Sequence, residues 1–245
     1  MVTSSRLKPF FSFYGSKWLL APHYTHPQHE RVIECCAGSA SYATLHSARQ
    51  VLLVDLDPII CGIWSYLIRV SESEILSLPL RFEHVDELNI CQESKWLIGF
   101  WVNAACSSPC KRFGKWARQE AESGKYLGFW GEKIRFRLSR QIESIRHWQV
   151  LNASYADIPE QHATYFVDPP YQEMGKHYRF NDIDFSHLGE WCRARAGNGS
   201  QVIACEAEGA SWLPFTGLRR QGKANCGQRS GPNMRRYTEQ VCYLP

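Results

Sequence analysis

Two short apolar runs, with a small-residue turn and a helix between them, constrain this chain more than any other feature. Arg31-Val32-Ile33-Glu34-Cys35 and Val51-Leu52-Leu53-Val54-Asp55 have the length and apolar content of buried strands. Ala37-Gly38-Ser39-Ala40-Ser41 supplies a turn, and Tyr42 to Arg49 reads as a helix. Pro58 then opens a helix that runs to about Val70, at an early helical position where its missing N–H costs nothing. Strand, turn, helix, strand, helix is the opening of a doubly wound α/β sheet.

The pattern breaks in the middle and resumes later. Ser94 to Ala105 has helical apolar spacing, and Ser107 to Gly131 is an irregular stretch rich in Gly, Lys, Arg and aromatics. In Glu132 to Trp148, the residues Ile134, Leu138, Ile142, Ile145 and Trp148 step by three or four along one helical face. Val150-Leu151-Asn152 and Thr164 to Asp168 are again strands, Ser186 to Ala196 a helix, and Gln201 to Glu206 and Gln240 to Leu244 late strands. The basic stretch Gly217 to Arg236 reads as a loop before the last strand. The reading is one α/β domain from residues 1–93 and 149–245, with a small, mainly helical subdomain inserted at 94–148.

At 245 residues the chain is long enough for a sizeable core. Its best apolar run, Val51 to Ile68, is interrupted by Asp55, Asp57 and Pro58, short of the roughly 18 residues a membrane span needs. The first nine residues contain no apolar signal segment. The ten cysteines show no CxxC pair, and Cys106-Ser107-Ser108-Pro109-Cys110 is the closest pair with a gap. They read as reduced thiols of an intracellular protein, and no metal site is expected.

Charge is unevenly placed. Ten basic and four acidic residues lie between Lys111 and Arg146, and six basic and no acidic residues between Gly217 and Arg236. The total is only +4, so these two segments, at +6 each, leave −8 on the rest. Two basic segments interleaved with aromatics on an acidic body point to a polyanion, and nucleic acid fits best.

The sharpest local signal is Asp168-Pro169-Pro170-Tyr171, directly after the apolar strand Tyr165-Phe166-Val167. Its position is a strand's carboxyl end, where open α/β sheets bind ligands. The prolines stiffen the turn and remove two backbone donors. A carboxylate, free carbonyls and an aromatic ring remain, a set suited to a planar ligand that carries an amino group.

At these residues the chain resembles the Dam-type, S-adenosylmethionine-dependent DNA adenine-N6 methyltransferases, whose cofactor motifs come first and whose target-recognition region precedes Asp-Pro-Pro-Tyr. Pro9-Phe10 with Tyr14-Gly15-Ser16-Lys17 is similar to that family's Pro-Phe…Gly-Gly-Lys motif. Glu34-Cys35-Cys36-Ala37-Gly38-Ser39-Ala40-Ser41 is similar to its Glu-Pro-Phe-x-Gly-x-Gly loop. Asp55 stands at its acidic position after the second strand, and Tyr155-Ala156-Asp157-Ile158 is similar to its Asp-Phe pair. Arg235 with Glu239 resembles its Arg…Glu-Val ending. The chain departs from the pattern at Ser16, Cys35, Cys36, Ala40 and Ile158.

The resemblance implies a Rossmann-like methyltransferase sheet with S-adenosylmethionine as cofactor. It implies cofactor contacts from Tyr14, Gly15, Lys17, Glu34, Gly38, Ala40, Asp55, Asp157 and Ile158. Asp55 would accept from the ribose hydroxyls and Asp157 from the adenine amino group, while Asp57 reads as a helix cap before Pro58. Glu34 either reaches the cofactor's positive end or is a buried strand-end acid paired with Lys or Arg. Asp168, Pro169, Pro170 and Tyr171 would be catalytic. The Asp168 carboxylate and the Pro169 carbonyl would each accept one N–H of the target amine, and Tyr171 would stack on a base flipped from the duplex.

Double-stranded DNA is the implied partner, contacted by Asn103, Lys111, Arg112, Lys115, Arg118, Arg137 and Arg235, with no membrane and no obligatory protein partner. The implied setting is the cytoplasm of a bacterium or a phage-infected cell. Two other readings stay open: methylation of an RNA or protein amine, and a degenerate relative that binds nucleic acid without catalysis. A dinucleotide-dependent oxidoreductase fits poorly, because the loop holds only Gly38 of a GxGxxG fingerprint.

Overall fold

The computed structural model describes residues 6–103, 105–115, 117–119, 128–173, 175–221 and 237–245. Seven strands form one sheet: β1 (Arg31–Cys35), β2 (Gln50–Asp55), β3 (Gln149–Asn152), β4 (Thr164–Val167), β5 (Gln201–Glu206), β6 (Thr216–Gln221) and β7 (Tyr237–Leu244). Their order is β3-β2-β1-β4-β5-β7-β6. The first five are mutually parallel, and β7 runs antiparallel to both β5 and β6. This is the doubly wound, Rossmann-like α/β sheet that the order of strands and helices in the sequence predicts.

Alternation along each central strand divides its side chains between two apolar layers. Val32, Val51, Leu53, Phe166 and Ile203 face one core, and Ile33, Leu52, Val54, Tyr165 and Val202 face the other. The register keeps these layers aligned, with Ile33 opposite Leu52 on one side and Tyr165 on the other. Helix α6 (Phe185–Gly197) covers the second face through Leu188, Trp191 and Cys192. The first face is covered by α2 (Pro58–Arg69), α4 (Gln92–Gly99) and α5 (Glu132–Gln141). Ile134, Leu138, Ile142, Ile145 and Trp148 thus share one core with the sheet itself.

Helix ends follow local chemistry. Asp57 caps α2 by accepting from the Ile59 N–H at 2.9 Å, and Pro58 occupies the first turn. Ser71 caps α3 (Glu72–Ser77), and Asp184 caps α6. Helix α1 (Ser41–Leu45) is shorter than the expected Tyr42–Arg49. The expected single helix from Glu132 to Trp148 instead passes into a 3-10 turn at Ile142–Ile145.

The expected loop from Gly217 begins as strand instead, because β6 pairs antiparallel with β7 from Thr216 opposite Val241 to Gln221 opposite Tyr237. Long-range pairing decided this, and the polar sequence carries no alternation that reveals it. Among the described residues no helix is long and apolar enough to cross a membrane.

Candidate active site

Strand order reverses between β1 and β4, which belong to neighbouring parallel pairs. Ligands of open α/β sheets bind outside the carboxyl ends of strands at such a point. A cavity lies there, walled by Glu34 and Cys36 at the end of β1, Asp55 at the end of β2 and Asp168 and Pro170 after β4. The Tyr14–Lys17 segment forms a further wall, and Tyr178, Arg179 and Phe180 another.

The loop after β1 is shaped by three residues with positive φ, Cys36 at +55°, Gly38 and Ala40. Gly38 has φ +45°, and a Cβ there would sit 2.9 Å from the Phe13 ring. Its N–H donates to Asp55 Oδ2 at 2.9 Å, so the loop is tied to the end of β2. Asp55 Oδ1 accepts from the Asp57 N–H at 2.9 Å. Burial pushes the Asp55 carboxyl up to about 6, against the lowering effect of those amide donors. Ala40 has φ +49° and precedes α1 without a side-chain cap.

The cap comes from β1 instead. Glu34, almost fully buried, accepts from the N–H groups of Ala43 at 2.7 Å and Tyr42 at 3.4 Å. Burial pushes its carboxyl up to about 8, partly offset by these amides. Glu34 is a buried acid at the end of β1, and its partners are helix N–H groups rather than Lys or Arg. It also lines the cavity.

Asp168 meets Lys17. The Lys17 ammonium lies 2.8 Å from Asp168 Oδ1, and donates to Oδ2 at 3.0 Å and to the Gly15 carbonyl at 3.1 Å. It also stands 4.0 Å from Glu239 Oε1 and 4.7 Å from the centre of the Tyr171 ring. Burial raises the Asp168 carboxyl, and Lys17 pulls it back. Although burial opposes it, the charge of Asp168 and Glu239 holds the Lys17 ammonium well above its ordinary value. Lys17 thereby reaches across the site from beneath the Gly15 turn. That turn approaches Tyr178 so closely that a Cβ on Gly15 would clash with the phenol oxygen, which would have to shift.

Tyr171 is placed differently from its expected stacking role. It is buried, and its hydroxyl donates to Glu239 Oε1 at 2.6 Å, where Tyr24 also donates at 3.0 Å. Neither Tyr171 nor Pro169 is among the residues that wall the cavity. Ala40 is fully buried behind the loop. Asp157 is exposed and closes a capping box with Ser154, and Ile158 packs in the second core. The cavity wall runs through Ala153, Ser154 and Tyr155 instead. The expected motif is therefore out of register by about one helical turn, because the 3-10 turn at Tyr155–Asp157 points its acid outward.

Sequence reading also missed Asp182 and Asp184, which line the cavity from the loop before α6. Alternation and helical period are silent in such a loop. Glu239 was visible as part of an ending motif, but only the fold brings it beside Lys17.

Of the residues expected on a nucleic-acid face, Arg137 and Asn103 tie the chain to itself, while Lys111 and Arg118 stay exposed in surface pairs. Arg137 donates to the Pro9 carbonyl at 2.9 Å and lies over the Trp101 ring. Asn103 is a staple, accepting from the Gly114 N–H and donating to the Arg112 carbonyl, both at 3.0 Å. Lys111 pairs with Asp86, and Arg118 lies 3.7 Å from Glu83. Arg112 and Lys115 are exposed. Arg235 lies outside the described residues.

No protein-family model matches the chain, and no curated protein matches it with significance. Among solved structures it is similar to a Haemophilus influenzae protein provisionally described as a methylase. Identity is 13%, the alignment covers 91% of this chain and 83% of that one, and the TM-score is 0.30. A likeness that weak carries no argument about activity.

Proposed function

We propose that this protein is an S-adenosylmethionine-dependent methyltransferase acting on an amine, and that the amine is the N6 group of adenine in double-stranded DNA. The observation that carries the reading is the cavity's composition at the strand-order reversal. Six acidic side chains, Glu34, Asp55, Asp57, Asp168, Asp182 and Asp184, wall it against two basic ones, Lys17 and Arg179. With the Glu34 carboxyl held up by burial, the five remaining acids still outnumber the two bases, and a pyrophosphate-bearing dinucleotide would be repelled there. A cationic, hydroxyl-rich ligand is suited to it.

The residues present fit S-adenosylmethionine. Asp55 retains acceptor capacity beyond its two amide bonds, as ribose hydroxyls require. Tyr155 offers an aromatic wall and Ser154 a small polar one. When bound, the cofactor supplies a methyl group on a positively charged sulfur.

The chain's own part is positioning. An amino nitrogen conjugated with a purine ring is a weak nucleophile. Asp168 would accept one of its N–H bonds and favour a pyramidal nitrogen whose lone pair faces the methyl group. Lys17 offsets part of the burial that raises the Asp168 carboxyl and fixes its orientation. Glu239 holds Tyr171 and also lies 4.0 Å from the Lys17 ammonium, which therefore stands near two acids. With the Tyr171 ring buried, stacking on the target base falls to Tyr178 or Phe180 in this reading.

The test is methyl transfer from labelled S-adenosylmethionine to unmethylated duplex DNA, followed by nucleoside analysis. N6-methyladenine is expected, and Asp168→Ala should lower the rate by at least about a hundredfold. Full transfer by Asp168→Ala would sink the assignment. Label in RNA or protein alone would move the substrate class and leave the cofactor reading standing.

A further inference from the structure

We propose that Cys106 and Cys110 form a redox-active dithiol, which a hydroperoxide closes to an intrachain disulfide at the rim of the cavity. The two sulfurs lie 3.2 Å apart. A disulfide needs about 2.05 Å, so closure asks for roughly 1 Å of movement within a five-residue loop. Both residues are partly exposed, as is Cys36, and Cys91 is exposed, whereas Cys35, Cys61, Cys192, Cys205 and Cys242 are buried. A peroxide therefore reaches this pair and not those cores.

The surroundings favour the chemistry. The contact with Cys106 draws the Cys110 thiol down to about 6, although its partial burial works the other way. The remaining S–H stabilises the first thiolate formed. That thiolate attacks one oxygen of the peroxide and breaks the O–O bond, and the leaving oxygen takes up the proton the thiol gave up and departs as water or an alcohol. The sulfenic acid so formed is attacked by the second sulfur, which gives up its proton as the S–S bond forms and water departs. Two thiols are oxidised and one peroxide is reduced, so electrons balance.

The loop is also built into the site. Cys106 bridges to Phe13, and its carbonyl accepts from the Tyr14 N–H at 3.1 Å. The Phe13 ring packs against Gly38, and Ser107 lines the cavity. The Cys110 N–H is anchored on the Gly99 carbonyl at 3.0 Å. A disulfide ties this anchor to the strand-like segment that holds Tyr14, which should protect the Tyr14 amide from exchange. The inference does not depend on what the cavity binds.

The experiment is peptide mapping of the full chain after brief hydrogen peroxide treatment, alkylated without reduction. The peptide holding Cys106 and Cys110 should lose two mass units and resist alkylation, and dithiothreitol should restore it. Cys106→Ser and Cys110→Ser should each abolish the two-unit loss. Hydrogen exchange should show the Tyr14 amide at least threefold slower in the oxidised form. Overoxidation of single sulfurs without the crosslink, pairing with another cysteine, or no reaction would overturn the proposal. An unchanged Tyr14 exchange rate in the crosslinked protein would overturn the coupling to the rim.

Discussion

Glu34 illustrates how one buried atom group serves two elements. Its carboxyl ends β1 and caps α1, and it sits where water cannot solvate a charge. Burial raises it from an ordinary 4.5 to about 8. The folded state thus binds this proton more tightly than the unfolded chain does. Its stabilisation is complete below about pH 4.5 and is lost as pH rises toward 8. The slope is about 1.4 kcal/mol per pH unit for one such group. Glu34→Gln should flatten the decline in melting temperature between pH 5 and 8, read by thermal unfolding across that range. An unaltered decline would place the responsible group elsewhere. Asp55, raised to about 6 by the same cause, contributes with the same sign over a narrower window.

At the scale of elements, the loop after β1 carries the strain of the site. Gly38 and Ala40 both adopt left-handed backbone, but only Gly38 is free of a Cβ penalty. Gly38→Ala should destabilise the fold by about 1–3 kcal/mol, because the added methyl meets Phe13 at positive φ. Ala40→Gly should stabilise it by up to about 1 kcal/mol, since αL costs alanine about that much. Denaturant titrations of the two variants check both signs. The Ala40 position sits where the resembled family keeps glycine, and its φ of +49° explains why glycine suits it. That residue's preference was legible in the sequence. Its placement behind the loop, away from the cavity wall, was not, because it depends on how α1 is seated beneath β1.

At the scale of the whole molecule, the basic middle segment divides into parts that fold and parts that face solvent. Arg135 donates to the Leu78 carbonyl, Arg137 to Pro9 and Arg146 to Ile68, so each ties α5 or its following turn to distant chain. Arg137→Ala should lower stability by about 1–3 kcal/mol through a lost hydrogen bond and lost packing on Trp101. Arg112→Ala with Lys115→Ala should leave stability within about 0.5 kcal/mol. In the DNA reading, that pair should also weaken duplex binding and shallow its salt dependence by about one to two in slope. Equal salt slopes for the wild type and the double variant would move the DNA face away from this loop.

The sequence by itself determined the strands and helices whose signals are local. β1, β2 and β5 are legible from apolar runs, α2 from its Asp-Pro start, and Asp168-Pro169-Pro170-Tyr171 from its position after β4. Only the tertiary structure decided what those residues meet. Lys17 and Asp168 are 151 positions apart and Tyr171 and Glu239 are 68 apart. No period or propensity links such pairs. β6 exists because β7 lies beside it, and the Asp157 motif turns outward because a 3-10 turn intervenes. Local pattern reports which faces must be buried, but the partners across the fold are chosen by packing.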